Sequence, residues 1–341
     1  MKTKVCVVGF GFMGRMHSQA YRLLNHVELV GMVDGDAKKR KAFESEFGGA
    51  GYETLEEMLP KEEIDIVDIC LPTFMHRESV VSAAKDRKHI LCEKPIALNL
   101  QDADTMISAV KKTKVKFMVA HVIRFWEEYA AIKRILDSKT LGEVKVMHAQ
   151  RLSSPPTWTW KGWVSKPELS GGAVIDLHIH DLDYLAWALG APKSVTAAGT
   201  ENKAGAVDSI FTLCDGYKNG AISFAEGSLA MPAGFPFTMS LRVGCEDGAI
   251  EYNSRNSPTL AVYRNGKVEH PKTGKNAESR VSGAGNVSDL GGYYNEIKYF
   301  VDCVRMDKNP DVITPQDARF ALKLALAALE SVKNKKRINV R

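Results

Sequence analysis

A glycine motif near the start of the chain constrains its fold more than any other feature. Gly9, Gly11 and Gly14 form a G-x-G-x-x-G pattern at the end of the predicted strand Lys4–Gly9, and the predicted helix Arg15–Leu24 follows. In this context the glycines allow a tight turn, a close approach of the backbone to a pyrophosphate and close helix–strand packing. The motif predicts a dinucleotide-binding unit, and an ordinary strand–helix turn is the alternative interpretation.

Apolar runs continue to alternate with helical patterns as far as residue 122. The further predicted strands are Val27–Asp34, Ile64–Leu71, Ile90–Cys92 and Lys116–Ala120, and the predicted helices between them are Ala37–Phe47, Glu78–Arg87 and Leu100–Lys112. Continuous apolar strands separated by helices are typical of a parallel sheet covered on both faces. Because crossovers are right-handed, we predict a doubly wound Rossmann domain over residues 1–122.

The pattern changes in the second part of the chain, residues 123–341. Glu127–Ser138 and Gly172–Leu189 are predicted helices. Three pairs of strands around turn dipeptides then predict an antiparallel meander: Asp208–Cys214 with Ala221–Ser228, Thr238–Val243 with Ala249–Asn253, and Leu260–Tyr263 with Lys267–His270. Residues 272–292 are predicted to be a loop, and the helices Tyr294–Arg305 and Gln316–Lys333 follow. We predict an α+β substrate-binding domain with a large, mainly antiparallel, open-faced sheet, and we expect the last helix to pack on the first domain.

Composition excludes several classes of protein. The 46 lysines and arginines exceed the 41 aspartates and glutamates by a net charge of +5, and they lie in short, scattered runs, which argues against nucleic acid as a partner. No apolar stretch reaches the roughly 20 residues that a membrane-spanning helix needs. The six cysteines show no metal-binding spacing, so we expect free thiols, a reducing cytoplasmic location and neither a fibrous, disordered nor disulfide-framework protein.

An acidic residue at the end of the second predicted strand indicates which nicotinamide cofactor is used. Asp34 follows Gly14 by about 20 residues, where a carboxylate can accept hydrogen bonds from the adenosine ribose. The same carboxylate would repel a 2′-phosphate about 4 Å away by about 4 kcal/mol per charge pair at an effective dielectric constant near 20. Lys38, Lys39 and Arg40 could offset part of this repulsion. We therefore predict NAD rather than NADP.

The turn Glu93-Lys94-Pro95 follows a predicted strand of the same sheet. Because the carboxyl ends of strands in a doubly wound sheet face the cofactor cleft, Lys94 can point toward the nicotinamide. A solvated lysine beside a turn proline is the alternative.

The segment 171–183 places three polar side chains on one predicted helix. Asp176, His180 and Asp183 have spacings of four and three residues and so share a face. Burial of such groups is costly without partners, which indicates a polar cleft in which a histidine beside a carboxylate serves as general acid or base. A core histidine capped by an aspartate is the alternative. A metal site is a further alternative. His178 and His180 lie about 200° apart around a helix and cannot share an ion, whereas Asp176, His180 and Asp183 could. That set is disfavoured because it contains no thiolate and no second histidine.

Two further segments supply candidate substrate residues. Residues 155–163 contain three tryptophans beside prolines, and Trp163 could belong to a loop wall for a sugar ring or to an ordinary hydrophobic contact. Arg124 lies at the predicted domain junction. With Asp183, these residues are the substrate candidates.

Together the motifs resemble the Gfo/Idh/MocA family of oxidoreductases over nearly the whole chain. The resemblance rests on VVGFGFMGRMH (7–17), LPTFMH (71–76), LCEKPIAL (91–98), HVIRFW (121–126), LSGGAVIDLHIHDLDYLAWALG (169–190) and the ending ITPQDARFALKLALAALES. It implies that Lys94 contacts substrate and nicotinamide in a turn whose Lys–Pro bond is often cis. It also implies that Asp176 binds a substrate hydroxyl and that His180 is the acid/base. The implied cofactor-binding residues are Gly9, Gly11, Phe12, Met13, Gly14, Asp34, Leu71, Thr73, His76, Glu93 and Lys94.

From the motifs and the resemblance we predict reversible hydride transfer between NAD and a secondary alcohol or ketone of a sugar or cyclitol. The segment 152–168 would select the substrate, and no metal is expected. A homodimer or homotetramer would form through the sheet of the second domain. Two alternatives stay open: a catalytically silent NAD-binding sensor, and an enzyme that uses bound NAD for glycoside cleavage through a transient ketone.

Overall fold

The structure is a computed structural model that describes residues 1–156, 159–203, 205–273 and 290–340. The chain forms two compact units. The first contains Met1–Phe125, Thr159–Trp163 and the described part of Asn276–Arg319, and the second contains the described parts of Trp126–Trp158, Val164–Lys275 and Phe320–Arg341. The predicted loop 272–292 falls mostly on residues 274–289, which lie outside the described residues.

Strands and helices alternate in the first unit, whereas strands predominate in the second. In chain order, the strands are β1 Thr3–Val8, β2 Val27–Val33, β3 Ala50–Tyr52, β4 Ile66–Ile69, β5 His89–Glu93, β6 Phe117–Ala120, β7 Val144–Leu152, β8 Ser194–Glu201, β9 Val207–Asp215, β10 Ile222–Ser228, β11 Thr238–Cys245, β12 Gly248–Asn253, β13 Leu260–Arg264, β14 Lys267–Glu269 and β15 Ile338–Asn339. The helices are α1 Phe12–Arg22, α2 Ala37–Phe47, α3 Leu55–Met58, α4 His76–Lys85, α5 Leu100–Thr113, α6 Glu127–Asp137, α7 Pro167–Ser170, α8 Ile179–Leu189, α9 Gly291–Arg305 and α10 Pro315–Asn334.

The first unit is built on a six-stranded parallel sheet with the strand order β3-β2-β1-β4-β5-β6. The order reverses between β1 and β4, so the carboxyl ends of these strands form the crevice in which such folds bind ligands. Helix α9, far along the chain, packs into the core of this unit: its Ile297 and Phe300 are buried in the same cluster as Val5 and Val7 of β1. The predicted doubly wound fold is confirmed.

The second unit contains a nine-stranded sheet with the order β14-β13-β12-β11-β7-β10-β9-β8-β15. Its neighbouring strands are antiparallel except for the parallel pair β7 and β10. The predicted open-faced, mainly antiparallel sheet is therefore confirmed. The prediction of one continuous meander is wrong at one joint, because β7 lies between the hairpins β9–β10 and β11–β12.

Helix α10 belongs to both units. Its residues up to Arg319 are part of the first unit, and those from Phe320 onward are part of the second. In the second unit the Ser331 hydroxyl accepts a hydrogen bond from the Ala197 backbone N–H at 2.8 Å. Among the described residues, no helix has both the length and the apolar character that crossing a membrane requires.

Candidate active site

The glycine motif forms a tight turn that requires glycine at two of its three positions. Gly9 has a φ of +92°, and a Cβ there would lie 2.8 Å from the Cys70 carbonyl oxygen. A Cβ on Gly14 would lie 1.9 Å from the Gly9 oxygen. Around Gly11, by contrast, no described atom would come within 4 Å of an added Cβ. The motif thus packs tightly on its protein side and stays open where a pyrophosphate would approach the first turn of α1, which begins with Phe12.

Asp34, directly after β2, is held by its surroundings. Its Oδ2 accepts a hydrogen bond from the Phe10 N–H at 2.9 Å, and its Oδ1 accepts one from the Asp36 N–H at 2.9 Å. Two of the nearby cations fold back onto it: Lys39 Nζ lies 3.1 Å from Oδ2, and the Arg40 guanidinium donates to the Asp34 backbone oxygen at 2.7 Å. The carboxylate is therefore fixed beside the glycine turn, and the Lys39 ammonium offsets part of its negative charge.

The LPTFMH segment lies beside the end of β4. Thr73 is buried, and its hydroxyl has no hydrogen-bond partner among the described residues. Because buried hydroxyls are normally hydrogen-bonded, this one is a candidate to bind a ligand. His76 is completely buried, with Nδ1 at 3.0 Å from the Pro95 oxygen and Nε2 at 2.8 Å from the Leu71 oxygen. Burial lowers the pKa of His76. His76 thus joins this segment to the Glu93-Lys94-Pro95 turn, and its contact with the cofactor stays a prediction.

Lys94 lies directly after β5 and is partly exposed, and its peptide bond to Pro95 is cis. The buried Glu93 accepts a hydrogen bond from the Lys94 backbone N–H at 3.0 Å through Oε2. Burial alone would raise the pKa of the Glu93 carboxyl, but His17 and the Lys94 charge lower it. The turn therefore carries a lysine directly after an ionised carboxylate.

His17, which the sequence did not single out, contacts Glu93 of this turn and is completely buried. Its Nδ1 is 2.8 Å from Asp68 Oδ2, and its Nε2 is 3.1 Å from Glu93 Oε1. Burial alone would lower the pKa of the imidazole, but the charge of Asp68 is the main cause that raises it well above its ordinary value. His17, Asp68 and Cys70 carry potential metal-ligating atoms. Since His17 and Asp68 already approach each other at hydrogen-bond distance, the cluster has the geometry of an ion pair.

In the second unit, the predicted helix Gly172–Leu189 is present and contains a π-helical turn at Val174–His178. Such turns are rare and often occur at functional sites. Asp176 and His180 are partly exposed, whereas Asp183 is completely buried. Of the three polar side chains, Asp176 and His180 are therefore the ones that solvent reaches.

Two other polar residues of this helix have structural roles. His178 is completely buried, and its Nε2 lies 2.8 Å from the Thr212 hydroxyl on β9. Burial, aided by the Arg151 charge, lowers the pKa of His178 to about 3. Asp181 accepts two hydrogen bonds from the Arg151 guanidinium, at 2.9 and 3.0 Å, and both side chains are buried. Strand β7 is thereby joined to the helix that carries His180.

The remaining candidate substrate residues differ in accessibility. Arg124 is buried in the first unit and donates to the Val312 oxygen at 2.7 Å. Trp163 is partly exposed. In the aromatic stretch, residues 157 and 158 lie outside the described residues. The substrate roles of Arg124, Trp163 and Asp183 stay predictions.

Comparison with known proteins identifies the family. The model of the GFO/IDH/MocA oxidoreductase family, NAD-binding Rossmann fold, matches residues 3–121, and the model of the GFO/IDH/MocA C-terminal domain matches residues 129–251. The chain belongs to the GFO/IDH/MocA family. The resemblance inferred from the motifs is confirmed. The prediction that the protein is an NAD-dependent oxidoreductase is confirmed as well.

Relatives of the GFO/IDH/MocA family match over the full chain. Myo-inositol 2-dehydrogenase of Thermotoga maritima is 25% identical, with 99% of this chain and 98% of the relative covered. Inositol 2-dehydrogenase of Rhizobium meliloti is 26% identical, with both chains covered completely. A levoglucosan dehydrogenase solved with NADH and levoglucosan is 20% identical, with 100% of each chain covered and a TM-score of 0.86, which shows a shared fold.

Proposed function

We propose that this enzyme catalyses reversible hydride transfer between NAD and a secondary alcohol or ketone of a sugar or cyclitol. The observation that carries the proposal is the glycine turn, which is open beside Gly11 and lies next to Asp34. The buried Thr73 hydroxyl has no hydrogen-bond partner among the described residues, which also supports a bound cofactor. The same chain has Lys94, Asp176 and His180 partly exposed. The names of the two full-length relatives, both inositol 2-dehydrogenases, support a cyclitol or sugar substrate.

The residues have distinct proposed roles in the oxidation direction. His180 accepts the proton of the reacting hydroxyl, since a histidine titrates near neutral pH. The Lys94 ammonium stabilises the negative charge that develops on the same oxygen. Asp176 accepts a hydrogen bond from a neighbouring hydroxyl and orients the ring. Bound NAD supplies the hydride acceptor, and no step in the proposal uses a metal ion.

A panel of cyclitols and sugars that includes myo-inositol tests the reaction, with NAD present and the absorbance of the reduced cofactor as the readout. We expect turnover on at least one member. Absence of turnover across the panel, with NADH binding intact, would favour the silent sensor. Consumption of a glycoside without net cofactor reduction would favour cleavage through a transient ketone.

Substitution of His180 tests the acid/base assignment. His180→Ala is expected to lower kcat by about two to four decades while NADH affinity stays near wild type. Lys94→Ala is expected to cost a comparable factor, mainly in kcat, and Asp176→Asn to raise KM and lower kcat together. His270→Ala, which removes an exposed histidine of the same unit, is the matched control. Near-normal turnover of His180→Ala would contradict the acid/base role and leave His180 with a structural role.

The assembly and location are proposed on separate observations. The open face of the second sheet exposes Phe211, Ile222 and Phe224 on its adjacent strands β9 and β10, and a second copy of the chain is the proposed cover, giving a homodimer or homotetramer. All six cysteines are free thiols, which supports a reducing, cytoplasmic location.

A further inference from the structure

The buried His17 imidazole connects three segments of the first unit that are distant in the sequence. It projects from α1, the helix that follows the glycine turn, and its two ring nitrogens approach two different carboxylates. Asp68 of β4 lies 2.8 Å from Nδ1, and Glu93 at the end of β5 lies 3.1 Å from Nε2. The side chains of His17 and Asp68 are inaccessible to solvent, and that of Glu93 is nearly so.

This arrangement favours a doubly protonated imidazole. Two buried carboxylates beside an uncharged ring would be costly in a low dielectric, even though Glu93 also accepts the Lys94 backbone N–H and Asp68 lies 3.6 Å from the Cys70 thiol. A neutral imidazole carries one N–H and would satisfy only one of them. The imidazolium places its positive charge beside both: Nδ1 hydrogen-bonds to Asp68, whereas Nε2 approaches Glu93 Oε1 at 3.1 Å as an ion pair without hydrogen-bond geometry. The raised pKa of His17 agrees with this state.

The contact continues from Glu93 to the lysine of the turn. While Glu93 Oε1 faces His17, the other oxygen, Oε2, accepts the hydrogen bond from the Lys94 backbone N–H at 3.0 Å. One carboxylate therefore contacts both His17 and the backbone from which Lys94 projects.

We infer that His17 is a positioning residue for Lys94: held between Asp68 and Glu93, it fixes the carboxylate that orders the Lys94 backbone and thereby ties the turn to helix α1. The inference rests on the proposed catalytic role of Lys94. His17 itself is enclosed by protein, so it acts through Glu93 and not on the substrate.

Steady-state kinetics of His17→Gln test this inference, with the best substrate of the panel. We expect kcat to fall by about 10- to 100-fold, the scale of a small misplacement of a catalytic group, while the Kd for NADH stays within about twofold of wild type. His26→Gln is the matched control, because His26 is a partly exposed histidine of the same unit whose Nε2 lies 4.0 Å from the Asp302 carboxylate. A purely structural role would lower the thermal midpoint and leave kcat of the folded enzyme unchanged, which would overturn the inference.

A double-mutant cycle shows whether His17 acts through Glu93. Glu93→Gln alone should lower kcat to a similar extent, and His17→Gln combined with Glu93→Gln should cause little further loss. Multiplicative losses would overturn the inference. If His17→Gln does not fold, Glu93→Gln alone decides, because wild-type kcat in this variant would also overturn it.

Lys94→Ala separates failure of this inference from failure of the proposed function. If Lys94→Ala keeps normal turnover, the catalytic assignment of Lys94 fails, and the positioning role fails with it. If Lys94→Ala loses turnover but the His17 and Glu93 variants keep it, only the positioning role is wrong.

Discussion

At the scale of single residues, the contacts of Asp34 set the balance between the two nicotinamide cofactors. The carboxylate faces the region where the adenosine ribose is expected, but Lys39 lies 3.1 Å from it and Arg40 holds its backbone oxygen. A 2′-phosphate would meet one repulsive charge and two attractive ones. The discrimination against NADP is therefore weaker than Asp34 alone would produce.

Titration of NADH and NADPH by fluorescence is expected to show NADH binding at least tenfold tighter. Asp34→Ser should narrow this gap because it removes the repulsion, and Lys39→Ala should widen it because it removes a cation from the phosphate side. Lys38→Ala is the control, since the Lys38 side chain is exposed. Equal affinities in the wild type would show that the basic residues override the carboxylate.

The sequence could predict those site residues whose pattern lies within a short stretch of the chain. Gly9, Asp34 and Lys94 lie at strand ends that local apolar runs define. The His17–Asp68–Glu93 cluster was missed because it joins three segments that only the strand order brings together. One signal was available: Asp68 is a charge inside a continuous apolar strand, and such a residue requires a buried partner.

At the scale of elements, the helix over 172–189 was predicted correctly, whereas strand β7 was not predicted. The helix has a strong apolar pattern, but β7, with the sequence VKVMHAQRL, alternates buried with polar residues and has no turn dipeptide before it. Its absence from the prediction made the hairpins look like one meander. A local signal identifies a hairpin, but a strand inserted between hairpins depends on long-range pairing.

The buried histidine of that helix gives the second unit a pH-dependent stability. His178 has a pKa of about 3 in the folded chain and about 6.5 when unfolded. Between these values the unfolded chain binds the extra proton, so this residue's contribution to stability falls by about 1.4 kcal/mol per pH unit as the pH is lowered. Urea unfolding at pH 7, 6 and 5 should show a smaller loss in His178→Gln than in wild type. The exposed His270→Gln should keep the wild-type dependence, and identical curves for all three proteins would contradict the assignment.

At the scale of the whole molecule, the two faces of the second sheet differ. Along β7, β9 and β10, buried residues alternate with exposed ones, so one face is packed and the other is open. Phe211 is 59% exposed, and Ile222 of β10 is paired in register with Val146 of β7. These apolar side chains lie near one another on central strands, which is typical of a surface that a partner covers.

Light scattering at micromolar protein is expected to give the mass of a dimer or tetramer. Phe224→Glu places a charge within the apolar face and should shift the mass toward the monomer, because an unpaired charge buried in an interface is costly. The native fold should persist, because Phe224 is exposed in the single chain. Val268→Glu is the control, since Val268 is an exposed apolar residue on the edge strand β14 at the far end of the same sheet. A wild-type protein that is strictly monomeric, or a Phe224→Glu variant that assembles like wild type, would show that this face is not the interface.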